Sequence, residues 1–254
     1  MTEFFERQVA LFSTADAGHG GFPGYHVVVL LVGCFPASVF AIAGHKRQKD
    51  WNSHLRDWHA WMVILLWVVV ILFSIVQSKI VHYSSMAYFP LTYLAAAYLH
   101  GWLQHKRSMS LGLHSLLWGL GLVLVLASFA LPVVASHPAW LQELPLDPLT
   151  AASLQATVHW PWYTFIPGVW LALVLIGYSI YPGEHPRKTR LAILLLGMAI
   201  WIAGSVSVFF PRIEQYSQHG AITLIEEEVD PGAYLYTYGF RSYLPFFYHP
   251  MEKS

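Results

Sequence analysis

Six apolar runs, 25–43, 60–76, 86–103, 111–135, 161–181 and 191–211, alternate with polar connections along this chain. Each is near the ~20 residues that cross a bilayer core as a helix. Inside lipid every backbone N–H and C=O must be satisfied within the protein, so such runs fold as helices. The positive charge sorts with them. Lys46, Arg47, Lys49 and Arg56 follow run one, Lys106 and Arg107 follow run three, and Arg187, Lys188 and Arg190 follow run five. Nine of the 14 Lys and Arg therefore fall on one side. The other side keeps Arg7, Lys79, Arg212, Arg241 and Lys253, thinly spread. The positive-inside rule makes the first side cytoplasmic and puts both termini outside. The expected fold class is an all-α polytopic membrane protein of six transmembrane helices.

Composition agrees. The chain is 56% hydrophobic and 11% charged, against about 25% charged residues in a soluble domain. Net charge is zero with His neutral, so there is no nucleic-acid footprint. The single cysteine, Cys34, lies inside run one and leaves no pair for a disulfide. Residues 1–24 hold Glu3, Glu6 and Asp16 and lack a positive n-region, so they do not read as a signal peptide. The expectation is a further helix upstream, or insertion driven by the first span.

Three regions follow. Residues 1–24 are an outer-face amphipathic segment, with Phe5, Val9 and Phe12 at helical spacing, and then a Gly-rich loop; a frayed terminus is the alternative. Residues 25–211 are the membrane domain, in which Pro36 should kink run one and run two should face lipid. Trp140, Trp160, Trp162 and Tyr163 form an aromatic belt at the outer interface. Residues 212–254 are an outside C-terminal segment: helical spacing over 213–228, a turn at Asp230-Pro231-Gly232, and alternation over 233–240 that predicts a strand. This small α/β tail is too short for a core of its own. It docks on the membrane domain or begins a larger α/β domain.

Candidate chemistry concentrates on the outer face. Of the 14 His, those at 45, 54, 59, 105, 185 and 219 fall in connections or at span ends, where solvated roles are expected. His114, within a long span, reads as a neutral side chain bonded across to another helix. His19 and His26 offer two imidazoles to a divalent metal, with a carboxylate from elsewhere; no cofactor is certain. Lys79, with His82 and Tyr83, puts a cation at headgroup level, suited to a phosphate or to simple interfacial anchoring.

The stretches GHGGFPGYHVVVLLVGCFPAS and KIVHYSSMAYFPLTYLAAA carry a resemblance, with SQHGAITLIEEE and AYLYTYGFRSYLPFFY near the end. They resemble the phospholipid-carrier-dependent glycosyltransferases, the bacterial aminoarabinose-transferase and protein O-mannosyltransferase relatives. The matching residues are His19, Phe22, Tyr25, His26, Gly33 and Pro36, then Lys79, His82, Tyr83, Tyr88 and Pro90. The resemblance implies the C-terminal half of a larger bundle in the bacterial cytoplasmic (inner) membrane. It implies transfer of a sugar from a polyprenyl-phosphate donor to a lipid, glycan or protein acceptor at the outer face. Lys79, His82 and Tyr83 would bind the donor phosphate. His19, His26, Tyr25 and Tyr88 would line the acceptor side, and His19 would share any metal. The family's catalytic carboxylate lies in a first external loop; Asp16 does not match its place, so that Asp is expected outside this chain. The chain alone is therefore expected to be inactive, its partners being membrane lipid and the missing N-terminal half. Two other classes stay open. One is a b-type haem or quinone protein using His26, His82 or His114. The other is a transporter or structural subunit without chemistry.

Overall fold

The computed structural model describes residues 21–48, 50–77, 79–104, 106–142, 145–146, 148–180, 187–217 and 219–230, and then 233, 235–236, 243 and 247–248. The expected amphipathic segment, His19 and Asp16 lie outside these residues, as does most of the expected strand. Among the described residues the fold is all-helical, with no strand.

The helices are α1 (Tyr25–Gly33), α2 (Ala37–Gly44), α3 (Ser53–Ile75), α4 (Tyr88–Leu103), α5 (Leu111–Ala135), α6 (Ala139–Gln142), α7 (Pro148–Ser153), α8 (Ile166–Ile180), α9 (Arg187–Ser217) and α10 (His219–Thr223). Short 3-10 turns, Val81–Ala87 and Trp162–Phe165, lead into α4 and α8, and a wide π turn, Leu224–Glu228, follows α10. Among the described residues four segments are long and apolar enough to cross a membrane: Ser53–Ile75, Leu111–Ala135, Trp162–Ile180 and Arg187–Ser217. Only 17–39% of each window is buried inside the protein, so most of their apolar surface is left for lipid. The chain is a multi-pass membrane protein, with four such spans among the described residues, or five if α1 and α2 count as one.

Among the described residues these four or five spans fall short of the six expected. Run one is not a single helix: α1 and α2 meet at 112°. Pro36 lacks an N–H and its ring crowds the preceding turn, which stops the helix there. The carbonyls freed at the break need partners in lipid, and the Ser38 hydroxyl donates to Leu31 O at 2.6 Å. Run three is also shorter than expected. Its regular part, α4, has 16 residues, or ~24 Å of helix. Run six, conversely, continues as helix through Pro211 to Ser217.

Two compact units can be described. Unit one is 1–123 with 175–195; unit two is 124–174 with 196–254. In unit one α2 lies hard against α4. Phe40 stacks on Tyr98 with ring centroids 6.1 Å apart, and Gly44 meets the α4 backbone at Leu94. A Cβ built on Gly44 would stand 2.1 Å from Leu94 O. Small residues permit such an approach, the usual device for helix contact in lipid. α3 lays a stripe of His59, Met62, Leu66, Val69 and Val70 inward and turns Trp61, Ile64, Trp67 and Ile71 outward. Run two is thus only half lipid-facing.

In unit two, Trp170 Nε1 donates to Gly197 O at 2.9 Å and Trp201 Nε1 to Ser128 Oγ at 3.3 Å. The expected aromatic belt is ordered around Arg212. Its guanidinium lies over the rings of Trp160 and Tyr163 and donates to the Tyr163 hydroxyl at 2.6 Å. Trp160 Nε1 donates to the Tyr216 hydroxyl, which donates to Ala135 O.

Gly44→Ala should destabilise the protein by about 1–3 kcal/mol, the scale of overpacking, because the obstructing atom is backbone. Gly33→Ala, with nothing within 4 Å of its Cβ, should be tolerated. Thermal unfolding of the two variants in detergent checks this; equal melting would contradict the close approach.

Candidate outer-face site

Two separated stretches of unit one meet where α3 ends. A helix leaves its last carbonyls without partners, and in a membrane protein that end has little water to turn to. Lys79 answers this. Its side chain is buried, and its Nζ donates to Phe73 O at 3.0 Å, to Ser74 O at 2.8 Å and to Val76 O. All three ammonium protons are thereby used as a helix cap. Burial holds its pKa below the ordinary lysine range. Among the described residues no carboxylate pairs with it. Among these residues the charge is held by hydrogen bonds alone.

The Gly-rich segment closes over this lysine. A Cβ on Gly21 would lie 2.8 Å from Lys79 Cγ. From there α1 places Tyr25 and His26 beside the end of α3. His26 is fully buried; its ring lies 5.2 Å from Tyr25 and 5.8 Å from Phe73. Phe73 in turn meets Tyr83 at 5.5 Å, and Tyr83 meets His82 at 5.2 Å. Neither ring nitrogen of His26 has a hydrogen-bond partner among the described residues. Burying such polar atoms unpaired costs free energy. The cluster grades outward, from buried His26 and Lys79, through half-buried Tyr25 and Tyr83, to exposed His82.

The candidate residues thus divide. Tyr25, His26, Lys79, His82 and Tyr83 come together. Tyr88 is exposed at the first turn of α4. His19 is outside the described residues, and among those described no three His, Cys, Asp or Glu gather as a metal site. Phe73, the ring joining the two stretches, escaped sequence reading because it is one apolar residue within an apolar run.

Two histidines correct the expectation of solvated roles. His59 is fully buried, with its Nε2 donating to His45 O at 3.1 Å and its ring 4.9 Å from Trp51. His45 is half-buried, and its Nδ1 donates to Ala41 O at 2.9 Å. His54 is exposed, as expected; His105 and His185 are not among the described residues. His114 stacks on Tyr178 of α8 at 6.2 Å, a contact across helices made through the ring face. No family model, no curated protein and no solved structure matches the chain.

The cluster makes opposite stability predictions at its two buried groups. His26→Phe removes two unpaired polar atoms and keeps a planar ring, so unfolding should be unchanged or shift up by about 1 kcal/mol. Lys79→Met strips three carbonyls of their donor and should destabilise by about 1–3 kcal/mol or more. Denaturation of both variants in detergent reads the two signs. A large loss for His26→Phe would mean that the imidazole is a satisfied core group.

Proposed function

We propose that this chain holds the donor for a lipid-carrier-dependent glycosyltransferase: a polyprenyl-phosphate sugar at the outer face of the bacterial cytoplasmic membrane, with both termini outside. The observation that carries this reading is the meeting of His26 with Lys79. It supports the reading because the two stretches bearing the resemblance converge on one polar cluster.

The chemistry is electrostatic. As a sugar leaves its phosphate carrier, negative charge grows on the phosphate, and a fixed cation in a low-dielectric setting lowers that barrier. The Lys79 ammonium is such a cation. Its N–H groups are committed to carbonyls, so it acts on the phosphate through space, or by exchanging a carbonyl for a phosphate oxygen. The first contacts fall to His82 and Tyr83 at the rim, and the unpartnered ring nitrogens of the buried His26 join them once the ligand displaces the rings that cover it. Tyr25 and Tyr88 face the acceptor. The proton taken from the acceptor goes to a carboxylate that these residues do not include.

Donor binding by the purified chain in phosphatidylcholine nanodiscs tests this. A charge-assisted bond to phosphate is worth about 1.5–3 kcal/mol, so Lys79→Ala should weaken binding on the order of 10- to 150-fold. Lys79→Arg should keep part of it. His26→Phe should lose binding while remaining at least as stable as the parent, which separates a ligand role from a folding role. Arg56→Ala, an exposed cation in the first turn of α3, is the control. If His26→Phe and Lys79→Ala both bind donor like the control, the reading is wrong.

A further inference from the structure

A second polar site lies in unit one, on the face that the charge bias assigns to the cytoplasm. It is a cleft of about 690 Å³ that shares no residue with the outer cluster. Lys46, Arg47, Lys106 and Arg107 supply its charge, and Ile42, Leu113 and Leu116 its apolar wall.

The cleft is built rather than incidental. Arg107 Nη1 donates to Ala43 O at 3.1 Å and its Nη2 donates to Lys46 O, which ties the turn after α2 to the turn after α4. The same guanidinium lies 5.8 Å over the Tyr98 ring. Arg187 fixes the other side, donating to Trp102 O at 2.5 Å and to Arg107 O at 3.3 Å. Lys106 is held by Asp50 at 2.5 Å, and that contact keeps the Asp50 carboxyl below the usual carboxylate range. Arg107 and Lys106 are thus spent on structure. Lys46 and Arg47 are not: both are exposed, and no carboxylate meets either among the described residues. The first turn of α5 adds the positive end of a 25-residue helix.

Lys46 and Arg47, like charges side by side with no counter-charge among the described residues, repel, and an anion removes that cost. A basic pocket between membrane helices that continues into an apolar wall matches a headgroup phosphate followed by an acyl chain. We propose that this cleft binds the phosphate of an anionic lipid, with Lys46 and Arg47 as its contacts and one chain along Ile42, Leu113 and Leu116. A free phosphate ion shares the cationic contacts but not the apolar wall. The proposal stands independently of sugar transfer.

Native mass spectrometry of the full chain from phosphatidylcholine nanodiscs doped with phosphatidylglycerol provides the test. Phosphatidylglycerol should be retained in preference to phosphatidylcholine. Each surface cation near an anionic headgroup contributes roughly five-fold in affinity, so Lys46→Ala with Arg47→Ala should lower retention about 30-fold. Arg56→Ala, on the same face but outside the cleft, should leave it unchanged. Gly112 lines the cleft with open space beside its Cβ. Gly112→Leu fills that space without altering charge and should also expel the lipid. Inorganic phosphate is the discriminating arm: displacement of the lipid at millimolar phosphate would assign the cationic contacts to free phosphate as well, and no displacement would assign the site to lipid alone. No preference for phosphatidylglycerol in the parent, or a double variant that matches Arg56→Ala, would overturn the proposal.

Discussion

The backbone contact between Gly44 and Leu94 governs the geometry of unit one. With α2 pressed so close to α4, the turn that follows α2 lands on the far part of α4. There the buried Gln48 donates to Ala97 O at 3.0 Å, and Arg107 reaches back to Ala43 and Lys46. At its other end α2 cannot continue straight into α1. The break at Pro36 releases α1 to turn by 112° and to set Tyr25 and His26 beside the end of α3. Both polar sites of this unit thus follow from one pair of residues that lets two helices touch.

Part of this was legible in the sequence. Hydropathy located the long apolar helices found among the described residues, and the bounds 111–135 agree with α5 as found. Pro36 marked the break in run one. Its size was not legible, because a proline specifies where a helix stops and neighbouring contacts decide where the chain goes next. The meeting of Tyr25 and His26 with Lys79, His82 and Tyr83 could be expected only through resemblance. The use of Lys79 as a helix cap could not, since its partners are backbone carbonyls with no residue signature. His59 was misread for a related reason. It stands early in α3, where a span end suggests water, but Trp51 folds over it and buries it.

Five cations among the described residues, Lys79, Arg107, Arg187, Arg190 and Arg212, are solvated by carbonyls, and the four arginines also by rings, instead of by carboxylates. Although the chain carries as many acidic as basic residues, the ion pair seen among the described residues is Lys106 with Asp50. Arg187 lies 5.4 Å over Trp102, Arg190 4.7 Å over Tyr178 and Arg212 5.0 Å over Tyr163, and each also donates to a main-chain oxygen. Contacts of a cation with a ring face contribute about 0.5–2 kcal/mol each, and they leave the net charge in place. Helix ends are pinned in this way with each cation's own charge left in place.

The shortness of α4 bears on the membrane itself. Its ~24 Å fall short of a ~30 Å hydrocarbon core, and Met86 and Phe89 at its start are exposed. Lipid beside these side chains must compress or bend to meet them, since apolar mismatch costs a fraction of a kcal/mol per Å. A helix of that length suits a bilayer that is thinner beside the turn carrying His82 and Tyr83. Membrane thickness is then a variable to which such a helix is sensitive: thicker bilayers increase the mismatch and thinner ones relieve it.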